Sequence, residues 1–213
     1  MEILENVKTI MSSWTTIATL LGVLILFCVF IKVKHVKFTP RLIAHIALAV
    51  AMSVILGFFK LFQLPSGGSA TLAGMLPIIL ISLIYGPTIG IFTGFVYSML
   101  NFIIGPAYIL HPIQVLFDYT LPFMAIGLSG FFKNNKYLAI ATGFFGMFVF
   151  NFIAGIIFWG SYAKWGLTPA VYSLIYNGSY NLLNCIICMA VSSVINIKSL
   201  TKRLAPYTHK TEL

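Results

Sequence analysis

Apolar runs of membrane-crossing length recur along almost the whole chain, and they limit its fold more than any other feature. Of 213 residues, 60% are hydrophobic and 8% are charged, and the mean hydropathy is +1.00. An ordinary soluble domain carries about 25% charged residues. This balance excludes a soluble globular enzyme, a disordered tail and a disulfide-stapled secreted domain. In lipid every backbone polar group must be satisfied internally, so only helices or closed barrels cross. The runs are continuous rather than alternating, which selects helices. The expected fold class is an all-α polytopic membrane protein.

Turn residues cut the runs into seven spans, near 14–33, 41–62, 72–85, 88–104, 112–132, 137–159 and 170–195. The cuts fall at Pro40, Pro65 to Gly68, Gly86-Pro87, Gly105-Pro106, Asn134-Asn135 and Gly166 to Pro169. Each span takes about 20 residues, so no room is left for a soluble catalytic domain. The third is short and could tilt in with its loop. The first is too long for a cleavable signal peptide, and its positive charge follows it.

Basic residues of membrane proteins collect in cytoplasmic loops. Lys32, Lys34, Lys37, Arg41, Lys133, Lys136, Lys198, Lys202, Arg203 and Lys210 share one side of this arrangement. Lys8, Lys60 and Lys164 share the other. The expected orientation is therefore N-terminus outside and C-terminus in the cytoplasm. The net charge of +9 then reports topology, not nucleic-acid binding. No internal repeat supports an inverted-repeat transporter. Cys185 and Cys188 have C-x-x-C spacing but lie on one face of an apolar helix, with Cys28 in another apolar run. They read as small core hydrophobes, so no metal or cofactor is expected.

Of four acidic residues, Glu2, Glu5 and Glu212 lie in the tails and Asp118 lies inside a span. An acid at membrane depth costs roughly 2.5–3.5 kcal/mol and faces a cavity or a partner. Asp118 could pair with His45 or Lys60, or be protonated and bonded to a neighbouring helix. The functional alternative is a ligand contact. Tyr172, Tyr176 and Tyr180 recur at i, i+4 and i+8, beside Asn177, Asn181 and Asn184, and so stack along one helix face. The asparagines could equally bond helix to helix. Asn151 and Trp159 share the preceding span, where a lone tryptophan usually anchors at the interface.

In the seven-span arrangement Asp118, Trp159, Tyr172, Tyr176, Asn177, Tyr97 and Asn101 sit toward outer ends, and the inner half is nearly bare of polar groups. That describes an outward-facing cup rather than a channel. One carboxylate among aromatic rings suits a flat, cationic, aromatic ligand. No G-x-x-x-x-G-K-[ST] motif is present, so the chain does not hydrolyse ATP itself. An intramembrane enzyme lacks its second catalytic group. A stand-alone secondary transporter, with Asp118 as a proton relay, stays open. Ala47 and Ala51 form small-x-x-x-small, which permits close approach of another helix.

Several stretches resemble the thiamine-specific membrane subunits, the ThiT family, of energy-coupling factor (ECF) transporters. They are Gly67 to Leu72, Met75 to Ile78, Tyr85-Gly86-Pro87, His111 to Leu116 and Asp118-Tyr119. The most specific are Ile153 to Gly155, Trp159 to Ala163 and Val171 to Tyr180. The resemblance runs over about 40–195, with the motifs in family order. It implies a six-helix substrate-binding core at 39–197, plus an extra N-terminal helix within 1–38 and a basic cytoplasmic tail at 198–213. It also implies a transmembrane coupling protein and two ATPase subunits as partners, with the coupling protein meeting Ala47 and Ala51. The implied ligand is thiamine, held by Asp118, Tyr119, Trp159, Tyr172 and Asn177. Asn151 stands where the family has a histidine, so a related cationic or pyridine/pyrimidine-type vitamin is the alternative ligand.

Overall fold

A computed structural model of the chain describes residues 14–104, 108–197 and 199–200. The acids Glu2, Glu5 and Glu212, the Gly105-Pro106 cut, Lys8 and nearly all of the 198–213 tail lie outside them. The helices are α1 (Trp14–Lys34), α2 (Pro40–Phe58), α3 (Leu76–Tyr85) and α4 (Pro87–Ile104). They continue with α5 (Pro112–Phe132), α6 (Lys136–Ile157) and α7 (Pro169–Ser193). Helices α2, α4, α5, α6 and α7 are each long and apolar enough to cross a membrane, and the chain is a multi-pass membrane protein. Four of the helix starts are set by local chemistry. Thr39 and Thr168 cap α2 and α7 through their hydroxyls, each ahead of a proline, and Asn135 caps α6. His111 Nδ1 accepts the Ile113 N–H at the start of α5.

Two segments depart from the expected spans. Helix α2 ends at Phe58, and the residues after it form a hairpin instead of completing a span to 62. Strand β1 (Lys60–Gln63) pairs antiparallel with β2 (Ser69–Thr71), with a bulge between Lys60 and Phe62. The hairpin accounts for the Pro65 to Gly68 cut, and Gly67 takes the left-handed conformation at its tip. Helix α3 starts at Leu76 rather than 72. Its 10 residues cover about 15 Å, half a bilayer. Non-helical backbone at that depth is tolerated only inside protein or along a cavity. Ala70, Ala73 and Met75 are accordingly buried, and α3 is buried on nearly all sides.

Around α3 the helices close through small residues, which let membrane helices approach for packing and interhelical hydrogen bonds. Ser82 Oγ donates to Gly127 O at 2.5 Å. A Cβ at Gly127 would overlap the backbone of Gly90 and Ile91, and one at Gly94 would overlap Phe123 O. Gly127→Ala is therefore expected to force α4 from α5. A fall in Tm of more than about 5 °C in detergent would register the roughly 1–3 kcal/mol of overpacking. An unchanged Tm would show that the two helices yield.

The half of the bundle expected to face inward is less bare of polar groups than the sequence suggests. Ser82, Ser129 and Ser192 are buried there, each bonded to a backbone carbonyl. His45 is engaged too, by Tyr85 OH at 2.5 Å from Nδ1.

Candidate substrate-binding cavity

Pro122 has no N–H to give the Asp118 carbonyl, and its ring crowds that carbonyl. Helix α5 answers with a π turn over Leu116–Thr120, closed by Leu121 N–H to Leu116 O. Such turns re-aim side chains at functional sites. This one carries both Asp118 and Tyr119.

Asp118 lines a cavity of about 230 Å³. Its Oδ2 accepts from Gln114 Nε2 at 2.6 Å and from Trp159 Nε1 at 2.7 Å. Both donors are neutral. Among the described residues no donor engages Oδ1, and no basic side chain pairs with the carboxylate. The His45 and Lys60 pairings are thus not formed: His45 bonds Tyr85, and Lys60 lines the cavity with no ion pair among the described residues. Gln114 was missed in the sequence, although it sits one turn before the buried acid. It is fully buried, and it also bonds Tyr108 O and the Leu110 N–H.

All six expected site residues line this one cavity: Asp118, Tyr119, Asn151, Trp159, Tyr172 and Asn177. They arrive from α5, α6, α7 and the α6–α7 connection. Trp159 lies past the end of α6, before the tight turn Gly160–Tyr162, and reaches Asp118 from there. Tyr119 OH accepts the Tyr108 N–H at 2.8 Å, and its ring meets Phe102 edge-on at 5.7 Å. Asn151 is buried, and its carbonyl takes a bond from Asn177 Nδ2 at 3.1 Å.

Asn177 is largely occupied by protein. Its amide also donates to Ser173 Oγ at 3.0 Å, and its Oδ1 accepts from Tyr180 OH at 3.0 Å. It therefore orders the α6–α7 seam and aims Tyr180. A Cβ at Gly155 would overlap Ser173 Oγ and crowd Asn177, so glycine is what lets α6 and α7 meet there.

The hairpin covers part of the cavity and is clasped to α7. Tyr176 OH donates to Pro65 O and accepts the Gly68 N–H at 3.0 Å. Asn184 Oδ1 accepts the Thr71 N–H at 2.9 Å, and its Nδ2 donates to Ser69 O at 2.8 Å. Asn184 is thus bonding glue, as one reading of the asparagine row had it, and it also reaches the cavity wall beside Tyr176 and Tyr180. Gly68, Met75, Phe123, Phe144 and Met147 also line the cavity and were not anticipated. Their apolar neighbours look the same in sequence, so no signal singles them out.

A family model described as Thiamine transporter protein (Thia_YuaJ) matches residues 43–204. Thiamine transporter ThiT of Bacillus subtilis (strain 168) is 34% identical over 161 residues, covering 68% of this chain and 82% of that protein. Thiamine transporter ThiT of Lacticaseibacillus paracasei (strain ATCC 334) is 31% identical over 141 residues, covering 57% of this chain and 70% of that protein. The solved structure of ThiT from Listeria monocytogenes is similar with a TM-score of 0.69 and 27% identity, over 77% of this chain and 98% of that one. Helix α1 precedes the matched family region.

Proposed function

The chain belongs to the Thia_YuaJ thiamine transporter family, and from that membership we propose that it captures thiamine in the Asp118 cavity as the substrate-binding subunit of an ECF-type importer. It is a transporter and not an enzyme, like the relatives it matches.

The observation that carries the reading is the state of Asp118: a carboxylate in a cavity wall, held by two neutral donors and ringed by aromatics. Thiamine has a permanently cationic thiazolium and a flat aminopyrimidine. The carboxylate supplies the counter-charge, and Trp159, Tyr172 and Tyr180 supply faces for cation–π contact and stacking. The volume is below the roughly 300–1,000 Å³ of drug-sized sites, which suits one small ligand. Asn151 and Tyr119 add hydrogen-bonding edges, and Asn177 holds the wall in place.

The remaining parts of the reading concern delivery. The six-helix core, 39–197, binds the vitamin from outside, with the N-terminus outside and the basic tail 198–213 in the cytoplasm. The resemblance to ECF subunits assigns the driving of uptake to a transmembrane coupling protein and two separate ATPase subunits, consistent with the lack of a phosphate-binding loop in this sequence. Ala47 and Ala51 are exposed on α2, beside exposed Ile43, Leu48 and Ile55. This face supports docking of the coupling protein, because small residues let backbones approach.

Tryptophan fluorescence of the purified chain tests the ligand assignment. Thiamine is expected to quench it with a submicromolar midpoint. Trp159→Phe should abolish most of the quench and weaken binding about tenfold, since a ring contact and the indole bond to Asp118 both go. An unchanged midpoint in Trp159→Phe would remove Trp159 from the site. Quenching by another vitamin-like heterocycle but not thiamine would keep the importer and reassign its cargo.

A further inference from the structure

Trp165 is spent on nothing described so far. It is 80% exposed, and its φ of +58° is unusual for a bulky residue. Backbone held in that region clusters where function requires it. Its ring lies 6.0 Å from Tyr172, which stacks on Tyr176 at 5.9 Å, which meets Tyr180 at 6.0 Å. Four rings thus run from the α6–α7 connection into the cavity.

A second, smaller hollow of about 100 Å³ lies at the outer end of this row. Leu64 of the hairpin, Trp165, Tyr172, Ile175, Tyr176 and Ser179 line it, and its walls are almost wholly apolar. Tyr172 and Tyr176 line both hollows and so form the partition between them. The two differ in freedom. Tyr176 is fixed through its hydroxyl to the hairpin at Pro65 and Gly68. Among the described residues the Tyr172 hydroxyl makes no hydrogen bond.

We infer that the small hollow is an access subsite for a flat cationic heterocycle, with Trp165 as its platform and Tyr172 as the ring that swings aside to admit it. The inference rests on the proposed capture of thiamine in the larger cavity. Trp165 does not line that cavity, so it touches the ligand during passage and not in the final pose. A cationic ring is held there by the indole face, which exceeds other aromatic faces in cation–π attraction. Lys164 beside it is exposed, and its repulsion is screened by salt.

A contact made at the barrier alone changes both rates and not the affinity. In stopped-flow quenching of the full chain by thiamine, Trp165→Ala should therefore lower kon and koff together, about fivefold, with Kd unchanged. Trp165→Phe, which makes the same backbone demand, should restore most of the loss. Wild-type rates in Trp165→Ala would overturn the inference and leave Trp165 an interfacial anchor. A rise in koff with kon unchanged would also overturn it, by placing Trp165 against the bound ligand. No saturable quenching of the unsubstituted chain would instead overturn the thiamine reading of the main cavity, and the access subsite with it.

Discussion

Asp118→Asn is expected to raise the Kd for thiamine by about a hundredfold or more. A neutral analogue with the same two rings should lose less than about threefold. The substitution conserves volume, and an asparagine Oδ1 can still accept from Gln114 Nε2 and Trp159 Nε1, so the wall keeps its shape. What disappears is a charge facing a cation in a site largely screened from water. Removing one member of a desolvated, hydrogen-bonded charge pair costs about 2–5 kcal/mol, and each 1.4 kcal/mol is about tenfold in affinity. Calorimetric titration of both ligands separates the outcomes. Equal losses for both would mean a distorted wall. Unchanged thiamine affinity would show that charge does not select the ligand, and it would reopen the proton-relay role for Asp118.

The second large effect separates binding from delivery. Ala47→Trp should leave thiamine affinity within about twofold and reduce uptake by cells to background. Ala47 is exposed on α2 and does not line the cavity. An indole there blocks the close backbone approach that small-x-x-x-small allows. Ala51→Trp, one turn on, should behave alike. Lost binding in both would instead give this face a packing role inside the bundle, and normal uptake would move the docking surface elsewhere.

What could be read from the sequence followed from residues that violate their surroundings. Asp118 was legible because an acid within lipid requires a reason. The tyrosine and asparagine rows of α7 were legible from spacing alone, although spacing did not tell wall from glue. All four of Tyr176, Asn177, Tyr180 and Asn184 reach the cavity wall, while Tyr176 and Asn184 also clasp the hairpin and Asn177 organises its neighbours. Helix α5 kept its expected limits because Pro112 starts it and Lys133 follows its end.

The failures share one cause. In a membrane protein the surface is as apolar as the core, so hydropathy does not mark where a helix stops. Phe58 to Phe62 is apolar except for Lys60, yet the chain turns into β1 there to cover the cavity. Likewise Leu72 to Met75 reads as helix but is irregular chain, with Ala73, Gly74 and Met75 buried and Met75 on the cavity wall. The clasp between the hairpin and α7 joins residues more than 100 positions apart, with no local signature. The π turn, by contrast, was foreshadowed by Pro122 and went unread.

The most direct test is a structure of the full chain with thiamine bound. The account predicts one molecule in the cavity between Trp159 and Tyr172, with the thiazolium within about 4 Å of the Asp118 carboxylate, the range of a direct charge pair. Thiamine bound elsewhere, or in this cavity with its cationic ring turned away from Asp118, would contradict it.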